Sequence, residues 1–202
     1  MNTSVQSQSL RLLRMPQELN PHAPSRGIEG SLRCLAESIG SSSILLFRLD
    51  KSTELHLMKT YPAGGTRSGW DGVVRLEELK NLIMQHIDEE LRPRARDFFL
   101  TGHPFSTPQP KQELLGLFGC PESDVALIEI RFIPQDPEPD KVVPTKWYEP
   151  VGCLVVIWSS TPKQNTQICN YALRFATDVL WLYLRQQDYQ KALPVLSRGG
   201  LK

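Results

Sequence analysis

The sequence has none of the short motifs that mark common catalytic and metal sites. Its 202 residues contain no Cys-x-x-Cys pair, no His-x-x-x-His or His-Glu-x-x-His spacing and no Gly-x-Ser-x-Gly elbow. The glycine-rich stretch at 61–72 has neither the Gly-Lys-Ser/Thr of a phosphate loop nor the GxGxxG of a dinucleotide site. Because catalysis needs a positioned nucleophile or base, we predict that the protein is not an enzyme. No metal and no cofactor are predicted either.

Neither sign of charge dominates the chain, and no apolar stretch is long. With 23 basic and 22 acidic residues the net charge is +1, which gives no long-range attraction to nucleic acid or to an anionic membrane. No run reaches the roughly 18 apolar residues of a membrane span. Polar residues interrupt every apolar run in residues 1–20, so no signal peptide is predicted. Four cysteines without a secretion signal then predict reduced thiols in a cytoplasmic protein.

The length and the apolar content of 40% suit one domain with a core and irregular tails. We predict a weakly ordered N-terminal tail at 1–26, a single domain at 27–191 and a C-terminal tail at 192–202, with order ending at Pro194. Three leucines and two arginines form a small basic and apolar cluster at 10–14. This cluster either docks on its own domain or is recognised by a partner.

Apolar periodicity predicts a mixed order of helices and strands. Steps of three and four residues predict helices at 28–39, 76–91 and 112–118, and short apolar or alternating runs predict strands at 44–49, 54–59, 125–133 and 151–158. The last of these strands is nearly all apolar, which is typical of a central strand covered on both faces. Glu129 and Arg131 interrupt the strand before it, on one of its faces.

The final helix, predicted from about Thr166 to Gln190, carries two apolar stripes. The first stripe comprises Ile168, Ala172, Phe175, Val179 and Leu182, and the second comprises Leu173, Ala176, Leu180 and Leu184. A helix that packs on one sheet needs only one stripe. The second must therefore be covered by the first helix of the same chain or by the helix of a partner. We take the second stripe as the candidate association surface of a homodimer.

Aromatic residues in two predicted loops are candidate contacts or a pocket rim. Trp70 lies in the glycine-rich loop, and Trp147 and Tyr148 follow a proline-rich segment. Aromatic residues are enriched at binding surfaces. For Trp147 the alternative is that it folds its own loop back onto the sheet.

The order of these elements, a helix, two strands, a helical middle, two strands and a long helix, resembles that of a GAF domain. The resemblance rests on the helix and strand at 114–120 and 123–133, on the glycine before the apolar run at 151–157, and on the closing helix at 168–184. It covers about residues 28–190.

The resemblance implies an α/β (α+β) fold with a GAF/PAS-like central antiparallel sheet of five or six strands. The N- and C-terminal helices are expected to pack on one face, and a ligand pocket often lies on the other. First and last helices of such domains commonly pair across a dimer. Members bind cyclic nucleotides, bilins, haem or small metabolites, and some bind nothing.

The chain departs from the ligand-specific members of that family. None of its cysteines is followed by histidine or preceded at two positions by aspartate, as bilin-carrying members require. The asparagine-lysine-phenylalanine-aspartate signature of cyclic-nucleotide binders is absent, because Asp50 and Lys51 have no such neighbours. We therefore expect no covalent bilin, and we transfer only the fold and a general role.

Two classes of function remain open. The first is a non-catalytic regulatory or adaptor protein, which contacts a protein partner and associates through its last helix. The alternative is a small-molecule sensor that couples ligand binding to a separate partner. A small enzyme is third, because carboxylates that pair only in space leave no trace in a sequence.

Overall fold

Helices and strands alternate along the chain in the computed structural model, which describes residues 13–18, 24–87, 89–94, 105–107, 112–120, 125–134, 150–160 and 166–199. The helices are α1 (Met15–Glu18), α2 (Pro24–Ile39), α3 (Leu76–His86), α4 (Gln112–Leu117) and α5 (Thr166–Gly199). The strands are β1 (Ser43–Leu49), β2 (Glu54–Tyr61), β3 (Val73–Arg75), β4 (Phe105–Thr107), β5 (Leu127–Ile133) and β6 (Gly152–Trp158). A short 3₁₀ helix, Glu89–Arg94, follows α3.

The strands form one sheet of six in the order β3-β2-β1-β6-β5-β4. Every neighbouring pair is antiparallel, so the predicted sheet of five or six antiparallel strands is confirmed. The strand β6 pairs with β1 on one side and β5 on the other, and all seven of its residues are buried. Its continuous apolar run had predicted this doubly covered position.

One face of the sheet is covered by the first long helix and the last. Alternate residues of β1, such as Ile44 and Leu46, point into a core that also contains Leu32 of α2 and Leu180 of α5. The expectation that the N- and C-terminal helices share one face is therefore confirmed.

The opposite face is covered by α3 and α4. Here Leu45 and Phe47 of β1 pack with Leu79 and Ile83 of α3 and with Leu115 of α4, in a second apolar core. Helix α3 places its residues there because its apolar positions recur at steps of three and four. The sheet thus has two cores, one on each face.

Several predicted helix ends differ from the observed ones. Helix α2 starts at Pro24 rather than 28, because proline fits a first helical turn, where its missing N–H needs no partner. Helix α3 stops at His86, short of 91, since Ile87 is extended (φ −79, ψ 133). The predicted end of order at Pro194 is wrong: α5 continues to Gly199, because a proline removes one backbone hydrogen bond without forcing a helix to stop. The domain limits of 27 and 191 stay predictions.

Candidate functional site

The sheet face beneath α3 and α4 is the candidate ligand face, because a ligand pocket often lies on this face in GAF domains. Phe47 of β1 contacts two further aromatic rings on this face. Its ring centroid lies 5.6 Å from that of Phe118 and 6.1 Å from that of Trp70. Phe47 and Phe118 are fully buried. In the part of the chain that the structure describes, aromatic and aliphatic side chains therefore fill this region.

Trp70 covers this core from the loop between β2 and β3. The loop is tied to the end of α4, because the Arg67 N–H donates to the Gly119 carbonyl at 2.6 Å. The indole lies directly on Gly119, where a Cβ atom would stand 2.3 Å from the indole Cδ2. Trp70 is thus a half-buried side chain that packs on this core. Trp147 and Tyr148, which were predicted with it, lie outside the described residues.

Gly119 ends α4 in the left-handed region, at φ 60. The Cys120 N–H donates to the Leu115 carbonyl at 2.9 Å, and the Gly119 N–H donates to the Gly116 carbonyl at 3.1 Å. This pair of bonds is the Schellman arrangement, which favours glycine at its left-handed position. The same glycine also leaves the space that Trp70 occupies, so one residue serves both the helix end and the loop contact.

We expect Gly119→Ala to loosen Trp70 and to destabilise the protein by about 1–2 kcal/mol, the usual cost of placing a Cβ in the left-handed region. The indole would have to move away from the added Cβ. Tryptophan emission should shift toward longer wavelength as Trp70 gains solvent, and urea unfolding measures the stability. Gly116→Ala is the matched control, because a Cβ there meets nothing within 4 Å. Unchanged emission and stability in Gly119→Ala would contradict this packing.

All four cysteines, Cys34, Cys120, Cys153 and Cys169, are buried, and none forms a disulfide. Burial raises the pKa of Cys120 to about 12, and the nearby Arg67 offsets this only in part. Burial also raises the pKa of Cys153. The pKa of Cys169 is raised by burial and then by the charge of Glu129. Since the thiolate is the reactive form, the last three are poor nucleophiles in the folded protein.

A polar cluster fixes the turn between β1 and β2. The Asp50 carboxylate accepts hydrogen bonds from the Ser52 hydroxyl at 2.7 Å, the Ser52 N–H at 2.9 Å and the Glu54 N–H at 3.0 Å. The Ser52 hydroxyl and these N–H groups lower the pKa of Asp50 to about 2. His56 Nε2 lies 3.1 Å from the same carboxylate, and Asp50, Glu54 and His56 hold ligand atoms within 4.8 Å of one another. The bonds to Asp50 form an Asx turn, so this carboxylate has a structural role in the turn.

A surface groove of about 710 Å³ opens beside this turn. Its lining includes Glu54 from the turn, Arg75 from β3, and Glu77, Glu78 and Asn81 from α3. Carboxylates outnumber the one guanidinium among these five residues. The groove is therefore suited to a polar or cationic molecule rather than an apolar one.

A buried ion pair lies between β5 and α5. Glu129 and Arg131 are 7% and 4% exposed, and the Arg131 Nε–H donates to Glu129 Oε1 at 2.7 Å. The Arg131 Nη2–H donates to Asn170 Oδ1 on α5 at 2.6 Å. The two charged residues lie two apart on a strand, which puts them on the same face. Their face is covered rather than solvated, and the pair links the strand to the helix.

The predicted association surface on α5 is wrong. Leu173, Ala176 and Leu180 are 0% exposed and Leu184 is 2% exposed, in the same core as α2. The sequence left open whether the same chain or a partner covers this stripe, and in the structure the same chain covers it. Residues without exposed area cannot form a surface between folded copies.

Leu182 of the first predicted stripe does not pack on the sheet but shares a solvent-facing side of α5 with Tyr171. Tyr171 is 69% exposed and Leu182 is 60% exposed, and the half-buried Phe175 lies between them. Their spacing of four and seven residues puts all three on one face of the helix. We call Tyr171, Phe175 and Leu182 the exposed stripe. Arg174 and Asp178 on the same side of the helix are also exposed.

Among the described helices, none combines the length and the apolar character of a membrane span. No family model and no curated protein matches the chain. Solved GAF domains do match it in structure. One is the GAF domain of a phosphoenolpyruvate-protein phosphotransferase from Acinetobacter, at a TM-score of 0.60 and 14% identity over 94% of this chain and 97% of that chain.

Two further neighbours are similar at the same level. The GAF domain of a phosphoenolpyruvate-protein phosphotransferase from Coxiella burnetii matches at a TM-score of 0.59 and 16% identity, over 93% of this chain and 98% of that chain. The phycoerythrobilin-bound GAF domain of a cyanobacterial phytochrome matches at a TM-score of 0.55 and 11% identity, over 95% and 99%. The chain therefore has a GAF-like fold, as its element order had predicted.

Proposed function

We propose that this GAF-like protein is a non-catalytic regulatory or adaptor protein that acts through protein contact and associates as a homodimer through α5. The observation that carries the proposal is the exposed stripe. Tyr171 and Leu182 are 69% and 60% exposed on a helix whose inner side lies in the core. Large apolar side chains gathered on one exposed helix face are typical of a contact surface.

The neighbours of the same fold support a regulatory role, since they are GAF domains of phosphotransferases and of a phytochrome. The candidate ligand face favours contact over ligand binding, because Phe47, Phe118 and Trp70 pack together there. Buried cysteines with raised pKa values likewise give no support to covalent catalysis or to a covalent chromophore. We place the protein in the cytoplasm as part of the same proposal.

A second copy of α5 suits the exposed stripe, because the charges around the stripe are self-complementary. In an antiparallel two-fold pair, one register sets Tyr171 of each copy against Leu182 of the other. The same register brings Arg174 of each copy beside Asp178 of the other. A two-fold interface requires this kind of self-complementarity, in which each contact occurs twice.

The association test is light scattering of the full-length chain at several concentrations. We expect a dimer whose dissociation constant rises at least about tenfold in Leu182→Glu, because the new charge would be desolvated in the contact. Asn81→Glu with Gln85→Glu is the control, since it adds charge at exposed positions of α3. Charge reversal gives a sharper check: Arg174→Asp and Asp178→Arg should each weaken the dimer, and together they should restore it. A wild-type chain that is monomeric at every concentration would rule out the homodimer.

A small-molecule sensor is the second candidate, and the groove beside the β1–β2 turn favours it. Its volume of about 710 Å³ lies within the range of roughly 300–1,000 Å³ usual for small-molecule sites. Glu54, Glu77 and Glu78 would select a cationic ligand. A thermal-shift screen of polyamines and other small cations checks this candidate, and Glu77→Gln should remove any shift that such a ligand produces.

A further inference from the structure

The short helix α1 is anchored on the domain by a methionine side chain. Met15 is 0% exposed and lies in the core with residues of α2 and α5. Its neighbours Leu13, Arg14, Pro16 and Gln17 are all exposed. The segment Leu13–Glu18, which we call the strap, therefore has a single apolar anchor among its described side chains.

A buried hydroxyl on α2 makes the second attachment. The Ser31 hydroxyl donates to the Met15 carbonyl at 2.9 Å, and Ser31 itself is 0% exposed. If the strap left, this hydroxyl would lose its partner in an apolar surrounding, which is unfavourable. The site therefore selects for two features together: an apolar side chain and a backbone carbonyl beside it.

The strap has little stability of its own. Helix α1 is four residues long, far below the roughly 12–15 residues that an isolated helix needs. The Gln17 N–H donates to the Arg14 carbonyl at 2.9 Å in this turn. Methionine is an unbranched, adaptable side chain, which can leave and re-enter a pocket without moving its surroundings far.

We propose that the strap is a displaceable plug, and that the site it fills on α2 and α5 docks a short partner segment of the same chemistry. That partner segment carries one unbranched apolar side chain, Met or Leu, whose own carbonyl accepts from Ser31. The strap then competes with the partner and limits its access. This inference is independent of the homodimer, because it uses Met15 and Ser31 rather than the exposed stripe.

The test uses the full-length chain and a fluorescein-labelled peptide that corresponds to residues 10–18. In a Met15→Asp chain the strap should no longer dock, which leaves its site open. Fluorescence anisotropy should then show that the peptide binds this chain at least about tenfold more tightly than it binds the wild type. The same peptide with Met15→Asp should not bind. Leu13→Asp is the matched control chain: Leu13 is 61% exposed, so its strap stays docked and peptide binding stays at the wild-type level.

A second variant distinguishes specific docking from nonspecific hydrophobic binding. Adding Ser31→Ala to the Met15→Asp chain should weaken peptide binding severalfold, since the carbonyl loses its donor. Binding of both peptides to equal extents, or no binding to a folded Met15→Asp chain, overturns the proposal. Loss of the far-UV circular dichroism of the Met15→Asp chain overturns it too, because the strap would then be an integral part of the fold and not a plug.

Discussion

Replacing Arg131 with methionine is expected to destabilise the protein by about 3–5 kcal/mol, the usual cost of breaking a buried ion pair from one side. The change leaves the Glu129 carboxylate, which is 7% exposed, without its 2.7 Å partner. It also removes the donor to Asn170 on α5. Urea unfolding followed by far-UV circular dichroism measures the loss.

Two control variants test whether the cost comes from leaving a buried charge without its partner. Glu129→Leu combined with Arg131→Met should recover most of the stability, because removing both charges of a buried pair is often close to neutral. Lys59→Met breaks the half-exposed pair with Glu29, in which Lys59 Nζ lies 2.9 Å from Glu29 Oε2, and should cost less than about 1 kcal/mol. A single Arg131→Met variant as stable as the wild type would mean that β5 faces solvent there.

Leu180→Glu is expected to unfold the chain or to cost at least about 4 kcal/mol, while Leu182→Glu should leave it folded. The reason is position alone: Leu180 is 0% exposed and Leu182 is 60% exposed. At Leu180 the change removes a packed side chain and buries an unpaired carboxylate, two effects that add. At Leu182 the new charge remains in water in the isolated chain. Thermal unfolding of the two variants side by side measures the difference.

The opposite result has a definite meaning as well. A Leu180→Glu chain that is folded and stable, with association lost, would put the stripe of Leu173 and Leu180 on the surface. That stripe would then be the contact between copies, as the sequence alone had suggested. Comparing Leu180→Glu with Leu182→Glu therefore shows which side of α5 faces the core.

Four of the six strands and the buried side of α3 could be predicted because their signals are local, whereas the antiparallel sheet was expected from the GAF resemblance. The run at 151–158 is apolar at nearly every position, and only a strand covered on both faces needs that pattern. The steps of three and four at 76–86 likewise fix which side of α3 is buried. Each pattern stays within one element, so no knowledge of its neighbours was needed.

The identity of the buried stripe on α5 could not be read in the same way. Both stripes are apolar, and the choice depends on where α2 lies across the helix. The ion pair of Glu129 and Arg131 could not be predicted either, since charges on a strand usually indicate a solvated face and here they satisfy each other. Trp70 meets Gly119 across a long stretch of chain, and no spacing in the sequence records that contact.

The burial of every cysteine makes the thiols natural reporters of local opening. Cys34 lies in α2, Cys153 in β6 and Cys169 in α5, while Cys120 follows α4. An alkylating reagent needs an exposed thiolate, so each site reacts only when its own element opens. Labelling rates at the four positions would rank the elements by their opening free energies, with the central strand at Cys153 expected to be the slowest to react.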